Sequence, residues 1–540
     1  MLPHGQHLPV GPHGGSPLPG PPAAMTTSYD EVPYESHPFP QTHPSHLAVI
    51  ATLFGLTPPP PDRCRVLELG CAAGGNLLPM AEALPHSQFV GIDLSSRQIS
   101  DGQRILDALG LTNVRLLCAS IMDIDSSWGK FDYIVCHGVY SWVPDQIREK
   151  ILTICAEQLT DQGVAYVSYN TYPGWHMRGM IRDMMRYHAL RFSTPTERIR
   201  QARALLDFLA QATRQDGGPY ATLLRLELEH LSKQADHYLY HEHLEEVNEP
   251  VYFHQFVAAA QRHGLNYLGE SQITTMLSSN FPYEVQQALQ VIAPDQIQAE
   301  QYLDFIRNRM FRETLLVRST VTPDWTIQPD RIAGLHLSTR RQVVDNSGDV
   351  RSNATVQYRS RSGMVVATSQ PTLKAAFRIL GAHWPGTLPF EELVWQVAEM
   401  VQQSPEQIRT PLAVQILHVY LSSDLIELHA LPLPRVPLSE RPVALRSLRV
   451  RIELGEKSGA NRRHEVFRPN HFDAVLIPLL DGTRTRTELL EELARRALRG
   501  ILLLPSDSGP LTDLNQARLR LAPLLDEALQ RLADAAVLVC

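Results

Sequence analysis

The run VLELGCAAGGN at Val66–Asn76 constrains the fold of this 540-residue chain more than any other stretch. An apolar strand ends in an acid, Glu68, and is followed by glycines at 70, 74 and 75 and then by a helix beginning near Asn76. A strand that feeds a glycine turn and a helix opens a doubly wound parallel sheet, whose ligand edge is the carboxyl end of the strands. Gly70 lets the chain turn tightly, Gly74 lets the backbone approach a ligand without a Cβ, and the helix N-terminus favours a carboxylate. The dinucleotide fingerprint GxGxxG needs glycine at position 72, where this chain has Ala72, so a pyrophosphate cradle is disfavoured. A glycine turn alone can be mere connection. Asp93, at the next strand end about 20 residues on, gives it meaning, because an acid there can accept hydrogen bonds from two ribose hydroxyls. The other reading of Asp93, a helix-capping acid, is weakened because Ser95 can fill that role.

From Arg65 the chain alternates short apolar runs with helical patterns, the signature of a parallel sheet with crossover helices. Strands are expected at Arg65–Leu69, Phe89–Asp93, Val114–Cys118, Phe131–Cys136 and Gly163–Tyr169, and helices at Asn76–Leu84, Ser96–Leu109 and Pro144–Leu159. After Tyr169 come long helical patterns without strands, such as MIRDMMRYHALRF and ATLLRLELEHLSKQ. Strand character returns at Leu265–Glu270 and Thr314–Val317, the sixth and seventh strands of one sheet interrupted by helices. Further on, PGTLPFEELVWQV at Pro385–Val397 and DGTRTRTELLEEL at Asp481–Leu493 resemble each other, and each is followed later by a short strand-like run. A duplicated winged-helix-like unit with a Pro-rich linker around Leu431–Pro442 explains them. The expected class is therefore α/β: a Rossmann-like doubly wound seven-stranded sheet with a helical insert, then winged-helix-like α+β domains. The expected divisions are a disordered tail at 1–28, a ligand-binding domain at 29–175 completed by 250–320, a helical middle domain at 176–249 with 275–307, and winged-helix-like domains at 330–430 and 443–540.

No apolar run approaches the roughly 18 residues of a membrane helix, so a membrane-spanning role is excluded. A net charge of −8 gives no basic field for a polyanion, which disfavours nucleic acid as a partner. The arginines at 331, 340, 341, 351, 359 and 361 read as solvated strand faces. Cys64, Cys71, Cys118, Cys136, Cys155 and Cys540 form no CxxC pair and several lie in apolar runs, which points to a reduced, cytoplasmic protein. The first 24 residues lack the basic and apolar regions of a secretory signal, and Met25 is a candidate start. No metal is expected: His4, His7 and His13 sit in a flexible tail, and HEHLEE at 241–246 lacks the HExxH spacing.

Adenine contacts fall to the end of the third strand around Ala119–Ile121, with Ser120 and Ile121 as candidates and Asp123 nearby, and Leu94 beside Asp93 is a further candidate for cofactor binding. The fourth strand leads into CHGVYSWVP and the fifth into SYNTYPGWHMR. His137, Tyr140 and Trp142 thus converge with Tyr169, Tyr172 and Trp175 on one strand edge, where aromatic faces could hold an ammonium and wall a channel for a lysine stem. Alternatively, Trp142 and Trp175 only pack against the helical insert, and His137 faces the bound cofactor.

With YDEVPYESHPFPQTHP at Tyr29–Pro44, VLELGCAAGGNLLPMA, GIDLS, FDYIVCHGVYSWVP and VSYNTYPGWHMR, the chain resembles bacterial class I methyltransferases that carry a regulatory domain. The best-known members are the rickettsial lysine methyltransferases of outer-membrane proteins. The resemblance runs from about Tyr29 to the C-terminus and is densest up to Trp175. It implies a Rossmann-like domain, a helical middle domain and a winged-helix C-terminal region, with S-adenosylmethionine as cofactor and protein lysines as substrate. It assigns cofactor contacts to Glu68, Gly70, Cys71, Gly74, Asn76 and Asp93, and closure over the cofactor to Tyr34, Thr42 and His43. Many members have an acid where this chain has Ser120. Tyr140 and Trp142 are the candidates for positioning the amine. A small-molecule or RNA methyltransferase and a non-catalytic DNA-binding winged-helix protein are the alternatives, and a homodimer is left open.

Overall fold

The computed structural model of the protein describes residues 28–32, 34–340, 342–343, 349–360, 362–503 and 513–539. The expected tail up to residue 27, with its histidines and Met25, lies outside them, as do Arg341, Arg361 and Cys540. Strands β1 (Arg65–Leu69), β2 (Gln88–Asp93), β3 (Val114–Cys118), β4 (Phe131–Cys136), β5 (Leu159–Asn170), β6 (Leu265–Glu270) and β7 (Phe311–Arg318) form one sheet in the order β3-β2-β1-β4-β5-β7-β6. β1 to β5 run parallel, and β7 enters antiparallel between β5 and β6. The parallel strands are mainly apolar because both faces of the sheet are covered. Alternate residues go to opposite faces. Val66, Val135, Val164 and Tyr166 join one core, whereas Leu67, Leu69, Ile134, Cys136, Ala165 and Val167 join the other.

Helices Leu77–Ala83, Ser96–Leu109 and Asp145–Gln158 cross between the strands. The second starts on Ser95, whose side chain accepts from the Gln98 N–H, and stops at Gly110 in the left-handed conformation. Between β5 and β6, helices Gly174–Ala189, Pro195–Ala212 and Pro219–Ser232 close a separate apolar core around Ile181, Met185, Ala202, Leu206 and Leu224. Helices Tyr283–Ile292 and Gln296–Arg307 lie between β6 and β7.

Helix Pro44–Leu53 is apolar on every side, and Leu47–Ala51 are all buried. An all-round apolar helix needs cover on all sides. Here the sheet and the first C-terminal unit share one core with it, which joins Leu47 and Ile50 to Phe377, Phe390 and Leu393.

The two resembling segments take the same local arrangement. In the first unit, Leu337 pairs with both Leu388 and Leu428, closing a small sheet over helices Pro371–His383, Phe390–Val401 and Pro405–Ser422. In the second, Val443 bridges Asp481 and Ala444 bridges Leu538 around helices Arg446–Glu453, Arg486–Leu498 and Leu514–Asp534. No helix among the described residues is long and apolar enough to cross a membrane.

Candidate functional site

The carboxyl ends of β1, β2 and β4 meet beneath an N-terminal strap at 34–44. Glu68 of β1 is only 3 % exposed. Its Oε1 accepts from Asn76 Nδ2 at 2.8 Å, and its Oε2 is buried with no hydrogen-bond partner. Desolvation pushes the Glu68 carboxyl up to about 7, against the pull of the Asn76 hydrogen bond and aided by the neighbouring charge of Asp93. An orphaned buried carboxylate oxygen calls for a donor, and an ammonium group satisfies it best.

Asn76 is fully engaged. Nδ2 also donates to Thr42 Oγ1 at 3.0 Å, while Oδ1 accepts from the Phe39 N–H at 2.9 Å and faces His464 Nε2 at 2.7 Å. A carboxylate and a hydroxyl on one side and an N–H on the other fix the amide orientation, so His464 must carry its proton on Nε2.

In the turn itself, Gly70 has φ +79°, and a Cβ there would meet Val139 Cγ2 at 2.5 Å. Ala72 also takes a left-handed conformation, and its N–H donates to Asp93 Oδ2 at 2.9 Å. Asp93 Oδ1 accepts from the Ser95 N–H at 2.9 Å. Asp93 thus anchors the turn, and each of its oxygens keeps a lone pair for a ligand. Ser95 does cap its helix and gives its hydroxyl proton to Asp30 at 2.6 Å. Leu94 is exposed beside the end of β3. There Ser120 and Asp123 form a capping box on the one-turn helix Ile121–Asp123, so the Asp123 carboxylate serves its own turn. Cys71 is buried against Gly91.

Along the strap, the Tyr34 ring meets His237 and His241 at 5.3 and 5.6 Å, and burial raises its hydroxyl above the ordinary tyrosine range. Ser36 Oγ accepts from the Gly75 N–H at 2.7 Å. Thr42 is fully buried, and His43 caps helix Pro44–Leu53 by accepting from the Ser45 N–H at 3.1 Å. A Cβ on Gly75 would stand 2.3 Å from the Ser36 carbonyl oxygen. Gly75→Ala is therefore expected to displace the strap and weaken cofactor binding by about tenfold or more, read by titration calorimetry, with a fall in unfolding temperature that marks the lost contacts.

At the end of β4, His137 Nδ1 lies 2.9 Å from the Tyr166 hydroxyl and 3.3 Å from Ser168 Oγ. Desolvation lowers its pKa to about 4, so the ring is neutral at physiological pH. Tyr166 in turn donates to Glu313 Oε1 at 3.1 Å, which also accepts from Gln41 at 2.9 Å. The rings of Phe39 and Phe311 flank His137 at 4.1 and 6.1 Å. Phe39, Tyr166, Ser168, Phe311 and Glu313 join this cluster, though the sequence singles out none of them. The period-two alternation of β5 would have put Tyr166 and Ser168 on the face opposite Tyr169.

That alternation corrects the expected aromatic channel. Tyr169 follows Ala165 and Val167 into the core, stacks on Phe256 at 4.1 Å and hydrogen-bonds Thr314 at 3.0 Å. Tyr140 packs edge-on against the same Phe256 at 5.2 Å and is 4 % exposed. Trp175 is buried against Trp142 and beneath the Arg178 guanidinium of the insert, which is the packing alternative. Trp142 and Tyr172 keep partial exposure, Tyr172 stacking on His176 at 4.0 Å. In HEHLEE, His241 bonds Glu245 and the Val32 carbonyl, and His243 bonds Glu227. Among the described residues no group of three His, Cys, Asp or Glu side chains is placed to hold a metal ion.

Three family models match the chain: "Methyltransferase domain" over 61–215, "Predicted methyltransferase regulatory domain" over 235–318 and "PKMT, C-terminal winged helix domain" over 440–537. PKMT2 from Rickettsia typhi, solved in complex with AdoHcy, is 31 % identical, with a TM-score of 0.84 over 94 % of this chain and 100 % of that one. PKMT2 from the same organism, in a second structure, gives 30 % identity and a TM-score of 0.83 over the same shares. An uncharacterized protein of Rickettsia prowazekii is 35 % identical over 520 residues, which are 95 % of this chain and 93 % of the relative. The glycine turn, its paired acids and similarity along nearly the whole length lead to one conclusion: the chain belongs to the family of S-adenosylmethionine-dependent methyltransferases that join a methyltransferase domain to a regulatory domain and a PKMT winged helix.

Proposed function

We propose that this methyltransferase acts on the side-chain amine of protein lysines, and that its cofactor lies along the ends of β1 to β3. Glu68 Oε2 takes the ammonium of the methionine end. Gly70, Cys71 and Gly74 line the turn, and Asn76 holds Glu68 in place. Asp93 takes the ribose hydroxyls, and Leu94, Ser120 and Ile121 flank the adenine. When bound, S-adenosylmethionine supplies a methyl group already activated by a positive sulfur, so the protein has to deliver a lone pair in line with it.

The observation that carries the acceptor assignment is the neutral His137 held between Phe39 and Phe311. With a reference pKa of about 10.4, roughly one lysine in 2,500 is neutral at pH 7, a cost of about 4.6 kcal/mol. Burial of the amine beside the neutral His137 ring disfavours the ammonium and lowers that cost. With Nδ1 engaged by Tyr166, His137 Nε2 accepts an N–H of the amine and turns its lone pair toward the cofactor. Phe311, Met310 and Met177 are 38 %, 42 % and 44 % exposed. They form an apolar rim suited to a polypeptide. The reading is tested by incubating the enzyme with radioactive cofactor and host lysate. Label that protease releases and nuclease leaves in place supports it, whereas label in nucleic acid or small molecules refutes it.

Protonation of Glu68 sets a pH dependence. Its carboxyl, raised to about 7 in the free protein, is protonated below that pH and then cannot hold an ammonium. Cofactor affinity is expected to fall as pH drops from 7 toward 5, approaching about tenfold per unit. Glu68→Gln should abolish this slope, as calorimetry across that range would show.

A further inference from the structure

The loop at 461–465, between the short strands Gly459–Ala460 and Val466–Phe467 of the C-terminal unit, reaches across the molecule to Asn76. His464 is 6 % exposed and takes φ +58°, a left-handed conformation that a side chain beyond glycine adopts at a cost. The loop is built to hold it there. Asn461 Oδ1 accepts from the N–H groups of Arg463 and Glu465, both at 2.9 Å. Arg340 clamps Glu465 at 2.6 and 2.7 Å, Arg463 pairs with Glu427, and both guanidiniums lie over Trp384 at 4.5 and 4.6 Å. A second contact from the same unit runs in parallel: Arg451 donates to the Ser36 carbonyl at 3.1 Å, and Ser36 Oγ receives the Gly75 N–H. Glu82, on the helix that follows the glycine turn, accepts the N–H groups of Arg446 and Ser447 at 2.8 and 3.0 Å.

We infer that His464 is a positioning residue of the cofactor site, supplied by the C-terminal winged-helix unit and acting through Asn76. Its N–H locks Asn76 Oδ1, which turns Nδ2 onto Glu68 Oε1 and leaves Glu68 Oε2 as the open acceptor. Without it, the Asn76 amide keeps the Phe39 N–H as its one donor at Oδ1 and is held less firmly against Glu68. The C-terminal unit is thereby part of the methyltransferase site, and anything that shifts the 461–465 loop changes cofactor affinity. This rests on the placement of the cofactor at Glu68.

The test uses the full chain and calorimetric titration with S-adenosylhomocysteine. His464→Gly, which relieves the left-handed backbone while removing the donor, is expected to weaken binding about tenfold with little change in the cofactor-free unfolding temperature. His464→Gln, whose amide N–H spans a similar reach, is expected to restore most of the affinity. In an Asn76→Ala background, His464→Gly should cause no further loss. Binding by His464→Gly within about twofold of the unmodified chain, or losses that add across the double variant, would overturn the inference. Glu68→Ala separates the two levels: if it binds weakly while His464→Gly binds normally, only the role of His464 fails, and if both bind normally the cofactor placement fails as well.

Discussion

Asp93→Ala is expected to lower affinity for S-adenosylmethionine by at least about 100-fold, because hydrogen bonds to a charged acceptor contribute about 1.5–3 kcal/mol each. The carboxylate does two jobs that alanine cannot. It is the proposed acceptor for the ribose hydroxyls, and it ties the turn by accepting from Ala72 and Ser95. Asp93→Asn keeps one acceptor oxygen and should lose only about tenfold. Calorimetry and the KM for cofactor are the readouts. Binding of Asp93→Ala within about threefold of the unmodified protein would move the ribose elsewhere.

Arg312→Met is expected to be the most destabilising of the changes considered. The guanidinium of Arg312 is wholly buried 3.5 Å from the Phe253 ring centroid. It donates to Glu270 at 2.8 Å, to Glu300 at 3.2 Å and to both oxygens of Asp304 at 2.8 and 2.9 Å. Burial pushes Glu270 up, but Arg312 and Arg309 outweigh it and hold the carboxyl below its ordinary range. Glu300, where burial prevails over Arg312, is raised to about 6. Removing one partner of such a network leaves uncompensated buried charge and costs about 3–5 kcal/mol. The unfolding temperature should fall by about 3–4 °C at pH 8. Without Arg312 the folded-state pKa of Glu270 rises and those of Glu300 and Asp304, already raised by burial, rise further, so the deficit grows with pH and shrinks as they are protonated toward pH 5. A melting temperature within about 1 °C of the unmodified protein at pH 8, or a deficit that grows toward pH 5, would contradict this account.

The same residues show what a sequence can and cannot disclose. β1, β3, β4 and β6 were legible to their ends because each is a short, mainly apolar run set between turns or helical patterns. β7 was read as Thr314–Val317 because Phe311, Arg312 and Glu313 look like a polar loop. They belong to the strand because Arg312 meets Glu270 on β6 and Asp304 on the preceding helix, and Glu313 meets Tyr166 on β5. Helix Pro44–Leu53 was not read at all, since a helix that is apolar all round carries no periodic face. The positions of Glu68 and Asp93 on their strands and of Gly70 in the turn were legible because a strand, a turn and a spaced acid are local. Tyr140 and Tyr169 were misplaced because aromatic character outweighed the alternation of the strands. The bond between His464 and Asn76 joins residues 388 positions apart, and no local pattern links them.

The account stands or falls on the acceptor atom. The direct measurement is peptide mass spectrometry of protein from host lysate treated with the enzyme and isotopically labelled S-adenosylmethionine, alongside Asp93→Ala as control. The account predicts labelled methyl groups on lysine side chains, with none added by the variant. Labelled methyl confined to other side chains, or to molecules other than protein, would contradict it.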